Sequence, residues 1–191
     1  MTETPNPDLV DPDTLTGDMR PIRTTVLSLG SNLGDRLAAL QGAVSALADT
    51  PDVRLVAVSS VYETAPLDAA AGSPGFLNAV VLADTTLSVA TLLDRVQAIE
   101  AAYGRSRQGA NTPRTLDIDL IVVGNRSSDT AQLQLPHPRA HRRAFVLVPW
   151  QEIDSEAHIP GRGAVTDLVL GVDTSGVERR SDLDLDLDLE L

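Results

Sequence analysis

Apolar and polar positions along the chain follow two periods, one typical of strands and one typical of helices. Leu37, Leu40, Val44 and Leu47 recur three and four residues apart after Asp35, which predicts an amphipathic helix with Asp35 as its N-cap. Elsewhere, short runs rich in β-branched residues predict strands. The predicted order is β-α-β-β-α-β, with strands at residues 24–29, 53–62, 76–83 and 114–123, and a second helix at residues 87–103.

This order is that of the split βαβ unit, so we predict an α+β, ferredoxin-like fold. Its sheet is expected to be mainly antiparallel, with both helices on one face and short C-terminal additions. One domain is expected over residues 22–177. Residues 1–21 are rich in Pro, Asp and Thr, and are predicted to be a disordered acidic tail. Residues 178–191 end in alternating Asp and Leu, a strand pattern by itself, but are predicted to be a second disordered acidic tail.

The composition excludes several kinds of chemistry and location. The chain has no cysteine, which excludes disulfides, thiolate zinc sites and a cysteine nucleophile. Its first residues include neither a basic nor an apolar region, so no signal peptide is expected. No apolar run approaches the roughly 20 residues of a membrane span. We therefore expect a cytoplasmic protein without membrane contact.

The charge is unevenly distributed. The formal net charge is −12, yet residues 105–143 carry seven arginines against three aspartates. All fifteen basic residues are arginine, which excludes a Walker A, protein-kinase or Schiff-base lysine. A basic region in an acidic protein is a poor footprint for nucleic acid, but it suits a small polyanion that guanidinium groups bind in bidentate fashion.

The most informative segment is Arg-Thr-Leu-Asp-Ile-Asp-Leu-Ile at residues 114–121. Strand side chains alternate between faces, so Asp117 and Asp119 are predicted to point the same way. Two such carboxylates repel unless a cation lies between them, and hard oxygen ligands near arginines suit magnesium carrying a polyphosphate. By itself the pattern also fits a half-solvated strand with two surface aspartates.

Two further segments fit either phosphate binding or ordinary structure, and a third by itself indicates only a surface. Gly-Ser-Asn-Leu-Gly-Asp at residues 30–35 joins a strand to a helix, where backbone N–H groups can meet an anion, but a tight turn explains it equally well. His137 lies in a Pro- and Arg-rich segment that fits a phosphate-facing loop better than a metal-binding helix. Gln97 and Glu100 lie three apart on one helix face and by themselves indicate a solvated surface.

Five motifs occur in order along the chain. They are Gly-Ser-Asn-Leu-Gly-Asp at 30–35, Tyr-Glu-Thr-Ala-Pro at 62–66, Phe-Leu-Asn-Ala at 76–79, Pro-Arg-Thr-Leu-Asp-Ile-Asp-Leu-Ile at 113–121 and Leu-Pro-His-Pro at 135–138. Together they closely resemble the 6-hydroxymethyl-7,8-dihydropterin pyrophosphokinase family of folate biosynthesis. The resemblance implies transfer of pyrophosphate from ATP to 6-hydroxymethyl-7,8-dihydropterin, giving AMP and the pterin diphosphate.

The resemblance also implies roles for individual residues. Asp117 and Asp119 match the ligands of two Mg²⁺ ions that bridge the ATP phosphates. The pterin is implied to contact Thr64, Pro66, Leu67, Phe76, Asn78 and Phe145. ATP is implied to contact Gln97, Glu100, Arg107, Arg114, Leu120, His137 and Arg143. The implied catalytic residues are Arg105, Arg114, Asp117 and Asp119.

One departure from the family concerns residues 104–113, a polar, basic segment that we interpret as a candidate mobile lid. The family usually has Trp-Gly-Pro-Arg before the metal-binding strand, whereas Asn111 and Thr112 stand here before Pro113 and Arg114. Because the tryptophan helps to seal the site, looser lid closure is expected.

Two alternative functions remain open at this point. One is an Asp-x-Asp nucleotidyltransferase, although in that class the Gly-Ser and Asp-x-Asp motifs lie close together, whereas Ser31 and Asp117 are 86 residues apart. The other is a non-catalytic relative that binds pterin or nucleotide. Transient contact with neighbouring folate-pathway enzymes also stays open.

Overall fold

The computed structural model describes residues 20–65, 75–104 and 115–187 of the 191-residue chain. The helices are α1 (Arg36–Ala48), α2 (Val89–Ala102), α3 (Ala144–Ile153) and α4 (Val165–Leu170), with a 3₁₀ turn at Ala140–Arg142. The strands are β1 (Arg23–Ser31), β2 (Val53–Val58), β3 (Tyr62–Thr64), β4 (Phe76–Thr85), β5 (Asp117–Val123), β6 (Ser128–Asp129), β7 (Gln134–Leu135), β8 (His158–Ile159), β9 (Gly163–Ala164) and β10 (Val177–Arg179). Within the described part of the chain, no helix combines the length and apolar character that crossing a membrane demands.

A six-stranded antiparallel sheet forms the centre of the molecule. β1 lies between β4 and β5, while β2 and β3 both pair with β4. β10 pairs with β3 at one edge of the sheet. The predicted β-α-β-β-α-β order and the ferredoxin-like fold are thereby confirmed.

The two helices of this unit begin at local capping signals. The Asp35 side chain accepts a hydrogen bond from the Ala38 N–H at 3.0 Å, which confirms it as the N-cap of α1. Ser88 caps α2 in the same way through the Thr91 N–H. Helix α1 then buries Leu40, Val44 and Leu47, the predicted apolar stripe.

Each face of the sheet is covered by a separate pair of helices. On one face, Leu27 and Leu29 of β1 pack in a cluster with side chains of α1 and α2. On the other face, Val26 and Val80 pack in a second cluster that includes Trp150 of α3. The alternation of strand side chains therefore builds two apolar layers, and the predicted C-terminal additions supply the helices of the second.

The prediction of a single strand over residues 53–62 is wrong, because residues 59–61 separate β2 from β3. Ser59 still donates its N–H to the Val80 carbonyl at 2.9 Å, but its hydroxyl oxygen accepts the Val80 N–H at 2.9 Å. Ser60 donates its N–H and hydroxyl to the Glu152 carboxylate. Side-chain oxygens thus take the place of backbone acceptors and interrupt the strand.

The prediction of disorder over residues 178–191 is wrong for residues 178–187. β10 continues into a segment, residues 180–187, that we term the C-terminal strap. Its side chains Leu183, Leu185 and Leu187 pack against the α1–α2 cluster. The Gln41 amide donates to the Asp186 carbonyl at 3.0 Å and accepts the Asp186 N–H at 2.8 Å. Alternation places every leucine of the strap toward the core, so the fold extends beyond residue 177.

Disorder is also predicted for residues 1–19 and 188–191, and these lie outside the described residues.

Candidate active site

Strand β5 carries its two aspartates on the face of the sheet that packs against α3. Asp117 lies opposite Gly30 of β1, and Asp119 lies opposite Ser28. The intervening Ile118 is 4% exposed and belongs to the cluster on the other face. The predicted common orientation of the two carboxylates is confirmed.

Two basic side chains approach Asp119. Arg143 Nη1 donates to Asp119 Oδ2 at 3.0 Å, and His137 Nε2 lies 3.7 Å from the same oxygen. Burial lowers the pKa of the His137 imidazole; the Asp119 carboxylate opposes this shift, and the Arg143 and Arg139 guanidinium groups reinforce it. His137 Nδ1 accepts the Arg139 N–H at 3.2 Å, so Nε2 is the nitrogen that faces the carboxylate.

Backbone hydrogen bonds hold the His137 segment beside β5. The His137 N–H donates to the Ile121 carbonyl at 2.9 Å, and the Ala140 N–H donates to the His137 carbonyl. Leu135 is 4% exposed and packs in the α1–α2 cluster. The loop predicted from the Pro- and Arg-rich sequence is therefore fixed at both ends, with its imidazole at Asp119.

Arg143 also contacts an aromatic ring at the start of α3. Its Cζ lies 5.4 Å from the centroid of the Phe145 ring, within the range of a cation–π interaction. Phe145 is partly buried against the second apolar cluster. The guanidinium thus contacts both Asp119 and Phe145. The resemblance assigns Asp119 to the Mg²⁺ ions of ATP and Phe145 to the pterin.

A second polar group lies across β1 from the aspartates. Asn78 of β4 is 3% exposed, and its Nδ2 donates to Thr64 Oγ1 at 2.9 Å. Gly30 lies between Asn78 and Asp117 in the strand register. A Cβ atom on Gly30 would lie 3.5 Å from Asn78 Oδ1 and 3.9 Å from Phe76 Cδ1. The glycine thus keeps the position between the amide and the carboxylates free of a side chain.

The interpretation of Gln97 and Glu100 as a solvated surface is wrong for Glu100. Glu100 is 2% exposed, and its Oε1 accepts the Ile118 N–H at 2.8 Å. Gln97 is half-buried one turn earlier on α2. Leu120 is 3% exposed and lies on the α1–α2 side of β5, away from the two aspartates. Gln97 and Glu100 of α2 thus lie on the side of β5 toward which Leu120 points.

The glycine-containing segment at residues 30–35 forms a tight turn. Gly34 has a φ of +66°, a conformation that favours glycine. Ser31 is buried, and its hydroxyl donates to the Thr115 carbonyl at 2.6 Å, just before β5. The motif by itself does not identify Ser31 as the group that ties the end of β1 to the residues just before β5, because its partner lies 84 positions away in the chain.

Five of the predicted site residues lie outside the described residues: Pro66, Leu67, Arg105, Arg107 and Arg114. The candidate lid lies there too, apart from Gly104. The described residues bring together Asp117, Asp119, His137, Arg143 and Phe145 on one side of Gly30, and Thr64, Phe76 and Asn78 on the other.

Comparison with known proteins identifies the family of this chain. The family model described as 7,8-dihydro-6-hydroxymethylpterin-pyrophosphokinase (HPPK) matches residues 26–155. Three relatives bear the name 2-amino-4-hydroxy-6-hydroxymethyldihydropteridine pyrophosphokinase. The one from Mycobacterium leprae is 47% identical over 76% of this chain and 80% of its own. Those from Methylorubrum extorquens and Pseudomonas aeruginosa are 43% and 37% identical, over 80% and 83% of this chain and 96% and 97% of theirs.

Solved structures show the same fold. A triple mutant of Plasmodium falciparum HPPK-DHPS with SDX-DHP superposes with a TM-score of 0.62 at 14% identity. It covers 81% of this chain, which spans only 45% of that longer one. A structure of HPPK-DHPS in complex with substrates gives a TM-score of 0.60 at 14% identity, over 79% of this chain and 44% of that one. From the matched residues and the identities over most of its length, this chain belongs to the 7,8-dihydro-6-hydroxymethylpterin-pyrophosphokinase family.

Proposed function

We propose that the protein transfers pyrophosphate from ATP to 6-hydroxymethyl-7,8-dihydropterin, releasing AMP, in folate biosynthesis. The observation that carries this proposal is the placement of two unlike groups across Gly30. Asp117 and Asp119 lie on one side, and the Asn78–Thr64 pair lies on the other. The first group suits a charged phosphate with its cation, and the second suits the amide edge of a flat ring.

The pterin is proposed to bind beside Thr64, Phe76, Asn78 and Phe145. Asn78 Nδ2 donates to Thr64, whereas Asn78 Oδ1 is the atom of the amide that lies nearest to the Cβ position of Gly30. It can accept an N–H from the edge of the pterin, while Phe76 and Phe145 supply apolar surface for the ring. Pro66 and Leu67 are proposed to complete the wall of the same pocket.

The nucleotide is proposed to bind along β5. Arg143 and His137 face its phosphates, with Arg105, Arg107 and Arg114 contributed by the basic segment before β5. On the other side of the strand, Gln97 and Glu100 face the nucleotide and Leu120 contacts the adenine. Charge-assisted hydrogen bonds from guanidinium groups contribute about 1.5–3 kcal/mol each, so three or four of them would be enough for ATP binding in the micromolar range, about −8 kcal/mol.

Two Mg²⁺ ions are proposed to accompany ATP, held by Asp117 and Asp119. The donor set fits, since both are carboxylates on one face of a strand, and the Asp119 side chain is 35% exposed. Bound Mg²⁺ would neutralise charge on the phosphate oxygens during transfer. The residues of the chain align the reactants: Asn78 and Phe145 orient the pterin, and Arg143 orients the polyphosphate.

In the proposed reaction, the hydroxymethyl oxygen of the pterin forms a bond to the β-phosphorus of ATP. The bond between that phosphorus and the oxygen bridging to the α-phosphate breaks, AMP leaves, and the hydroxyl proton passes to solvent. Alignment and charge neutralisation suffice for such a transfer, so no dedicated general base is required.

Product analysis tests this function. The protein is incubated with ATP, MgCl₂ and 6-hydroxymethyl-7,8-dihydropterin, and the products are separated chromatographically. We expect AMP and the pterin diphosphate in equal amounts. Asp117→Asn and Asp119→Asn should each lower kcat on the order of 100-fold or more, since such a carboxylate supplies several kcal/mol through its cation. Asp167→Asn on the exposed side of α4 is the matched control and should leave kcat unchanged.

The alternatives give different products. Free pyrophosphate would indicate nucleotidyl transfer, and binding of both ligands without turnover would indicate a non-catalytic relative. Full activity in Asp117→Asn would contradict the assignment of the carboxylates as cation ligands.

A further inference from the structure

The side chain of Arg36, at the first position of α1, contacts both flanks of residues 66–74. Arg36 Nη1 donates to Glu63 Oε1 at 2.7 Å and to the Gly75 carbonyl at 2.7 Å. Glu63 lies in β3 before that segment, and Gly75 directly follows the segment, one residue before β4. One guanidinium therefore joins β3 to the residue just before β4.

The two flanks are in close contact at Gly75. A Cβ atom on Gly75 would lie 3.0 Å from the Thr64 carbonyl oxygen and 3.3 Å from Glu63 Oε1. A side chain there would push the flanks apart or displace the Glu63 carboxylate. Glycine at position 75 thus allows the two flanks to lie close enough for Arg36 to bind both.

Glu63 is held by a second guanidinium from the C-terminal strap. Arg180 Nη1 donates to Glu63 Oε2, and Arg180 also donates to both carboxylate oxygens of Asp182 at 2.8 Å and 2.7 Å. The hydrogen bond from Arg36 is the main cause that lowers the pKa of the Glu63 carboxyl, with Arg180 acting in the same direction. Glu63 is therefore ionised at neutral pH and fixed from two sides.

These contacts lie directly beside the proposed pterin-binding residues. Thr64 follows Glu63, Phe76 follows Gly75, and the two are paired across β3 and β4. Successive side chains of a strand point to opposite faces, so Arg36 acts from the α1 side on backbone whose other side carries Thr64 and Phe76. Thr64 in turn accepts the hydrogen bond from Asn78 at 2.9 Å. The positions of Thr64, Phe76 and Asn78 therefore depend on how the flanks are held.

We propose that Arg36 is a positioning residue for the pterin, which it serves by holding Glu63 and Gly75 together so that Thr64, Phe76 and Asn78 keep the spacing that the ring requires. Arg36 touches neither substrate. This inference rests on the proposed function, because it takes the pterin as the ligand of the Asn78 side of the site.

Steady-state kinetics of Arg36→Ala test the role. We expect the KM for 6-hydroxymethyl-7,8-dihydropterin to rise about tenfold, the change that corresponds to losing roughly 1.4 kcal/mol of binding. The KM for ATP and kcat at saturating pterin should stay within about twofold of the original values. Arg36→Lys, which keeps a charged donor with several N–H groups, should recover most of the pterin affinity.

Arg54→Ala is the matched control. Arg54 also forms a single ion pair with an acidic residue of a strand, Asp84, at 2.6 Å, but at the other end of β4. It should leave both KM values unchanged. A purely structural role for Arg36 predicts something different, namely equal losses for pterin and ATP together with a lower Tm, and that result would overturn the proposal.

Further outcomes separate this proposal from the proposed function. If the unmodified protein forms no pterin diphosphate, the function itself fails. If it does so and Arg36→Ala keeps the original pterin KM, only the positioning role fails. Should Arg36→Ala not fold, Glu63→Gln decides the matter, because it removes the charge that Arg36 holds but keeps the side-chain shape. A pterin KM raised by about threefold then supports the role, and an unchanged one overturns it.

Discussion

At the scale of single residues, the orientations of Asp119, Arg143 and Phe145 depend on one another. Arg143 donates to Asp119 at 3.0 Å and lies 5.4 Å above the Phe145 ring. A change in any one of them therefore reaches both the proposed phosphate side and the proposed pterin side. In sequence, Asp119 and Arg143 belong to different elements with no shared periodicity, so only the folded chain shows that they meet.

A close contact between α1 and α2 leads to a prediction at the same scale. A Cβ atom on Gly42 would lie 1.6 Å from the Tyr103 hydroxyl oxygen, so the tyrosine must leave its place against the core. We expect Gly42→Ala to destabilise the protein by about 1–2 kcal/mol. In a helix without such a contact, the same change stabilises by about 1 kcal/mol. The sign of the change in unfolding free energy therefore shows whether the contact with Tyr103 is costly. Urea unfolding followed by circular dichroism measures it.

The control is a double-mutant cycle with Tyr103→Ala. Once the ring is gone, Gly42→Ala should become stabilising, and the two effects should be strongly non-additive. Stabilisation by Gly42→Ala in the unmodified background would show that Tyr103 moves aside without cost.

Local signals were enough to predict some residues and not others. Asp35 was predicted as a helix cap because the signal lies within four residues of sequence. The spacing of Glu100 on its helix predicts a solvated surface, yet its side chain is 2% exposed and accepts the Ile118 N–H. Nothing within α2 indicates that an unpaired strand edge needs an acceptor there, so the role of this carboxylate follows only from the packing of α2 on β5.

At the scale of whole elements, periodicity predicted where helices and strands lie but not how they are interrupted or extended. The break between β2 and β3 arises because Ser59 and Ser60 find partners on β4 and α3. In the C-terminal strap, the many acidic residues predict disorder, whereas the alternation of Asp and Leu predicts a strand. The structure follows the alternation, because three leucines of the strap pack on the α1–α2 cluster.

The C-terminal strap leads to a prediction about its own energetics. A chain that ends at Arg180 loses the packing of Leu183, Leu185 and Leu187 and the two hydrogen bonds between Asp186 and Gln41. We expect it to be less stable by about 2–3 kcal/mol, since each leucine is only partly buried. Chemical denaturation of both chains gives the difference.

A double variant supplies the control for the strap. Asp184 and Asp186 are exposed, and Asp186 meets Gln41 through its backbone alone. Asp184→Ala with Asp186→Ala should therefore change stability by no more than about 0.5 kcal/mol. A truncated chain with the original unfolding midpoint would mean that the strap contributes nothing.

At the scale of the molecule, one sheet separates two apolar layers, and the candidate site lies on the α3 face with supports from the α1–α2 face. Arg36 and Glu100 both act from behind the sheet on strands whose front carries site residues. The fold class could be predicted because it follows from the order of elements. The second layer could not be described in detail, because short elements such as β8, β9 and α4 carry little periodic signal.

Cooperativity between the two layers can be measured. Trp150 is the single tryptophan of the chain and is 2% exposed in the layer on the α3 face. Its fluorescence reports that layer, whereas far-ultraviolet circular dichroism reports mostly the longer helices α1 and α2 of the other. Because both layers share one sheet, we expect the two urea transitions to coincide. Separate midpoints would show that the layers unfold independently.

The buried Glu100 carboxylate beside β5 also bears on whether this sheet can pair with strands of other chains. Within the described part of the chain, β5 is the last strand of the sheet on its side. The outward N–H groups of such a strand are the ones that pair with strands of other chains and start aggregation. The Ile118 N–H is already taken by Glu100 at 2.8 Å. A foreign strand must break that bond before it can pair at Ile118, so the helix that supports the aspartate pair also protects this position of the strand edge.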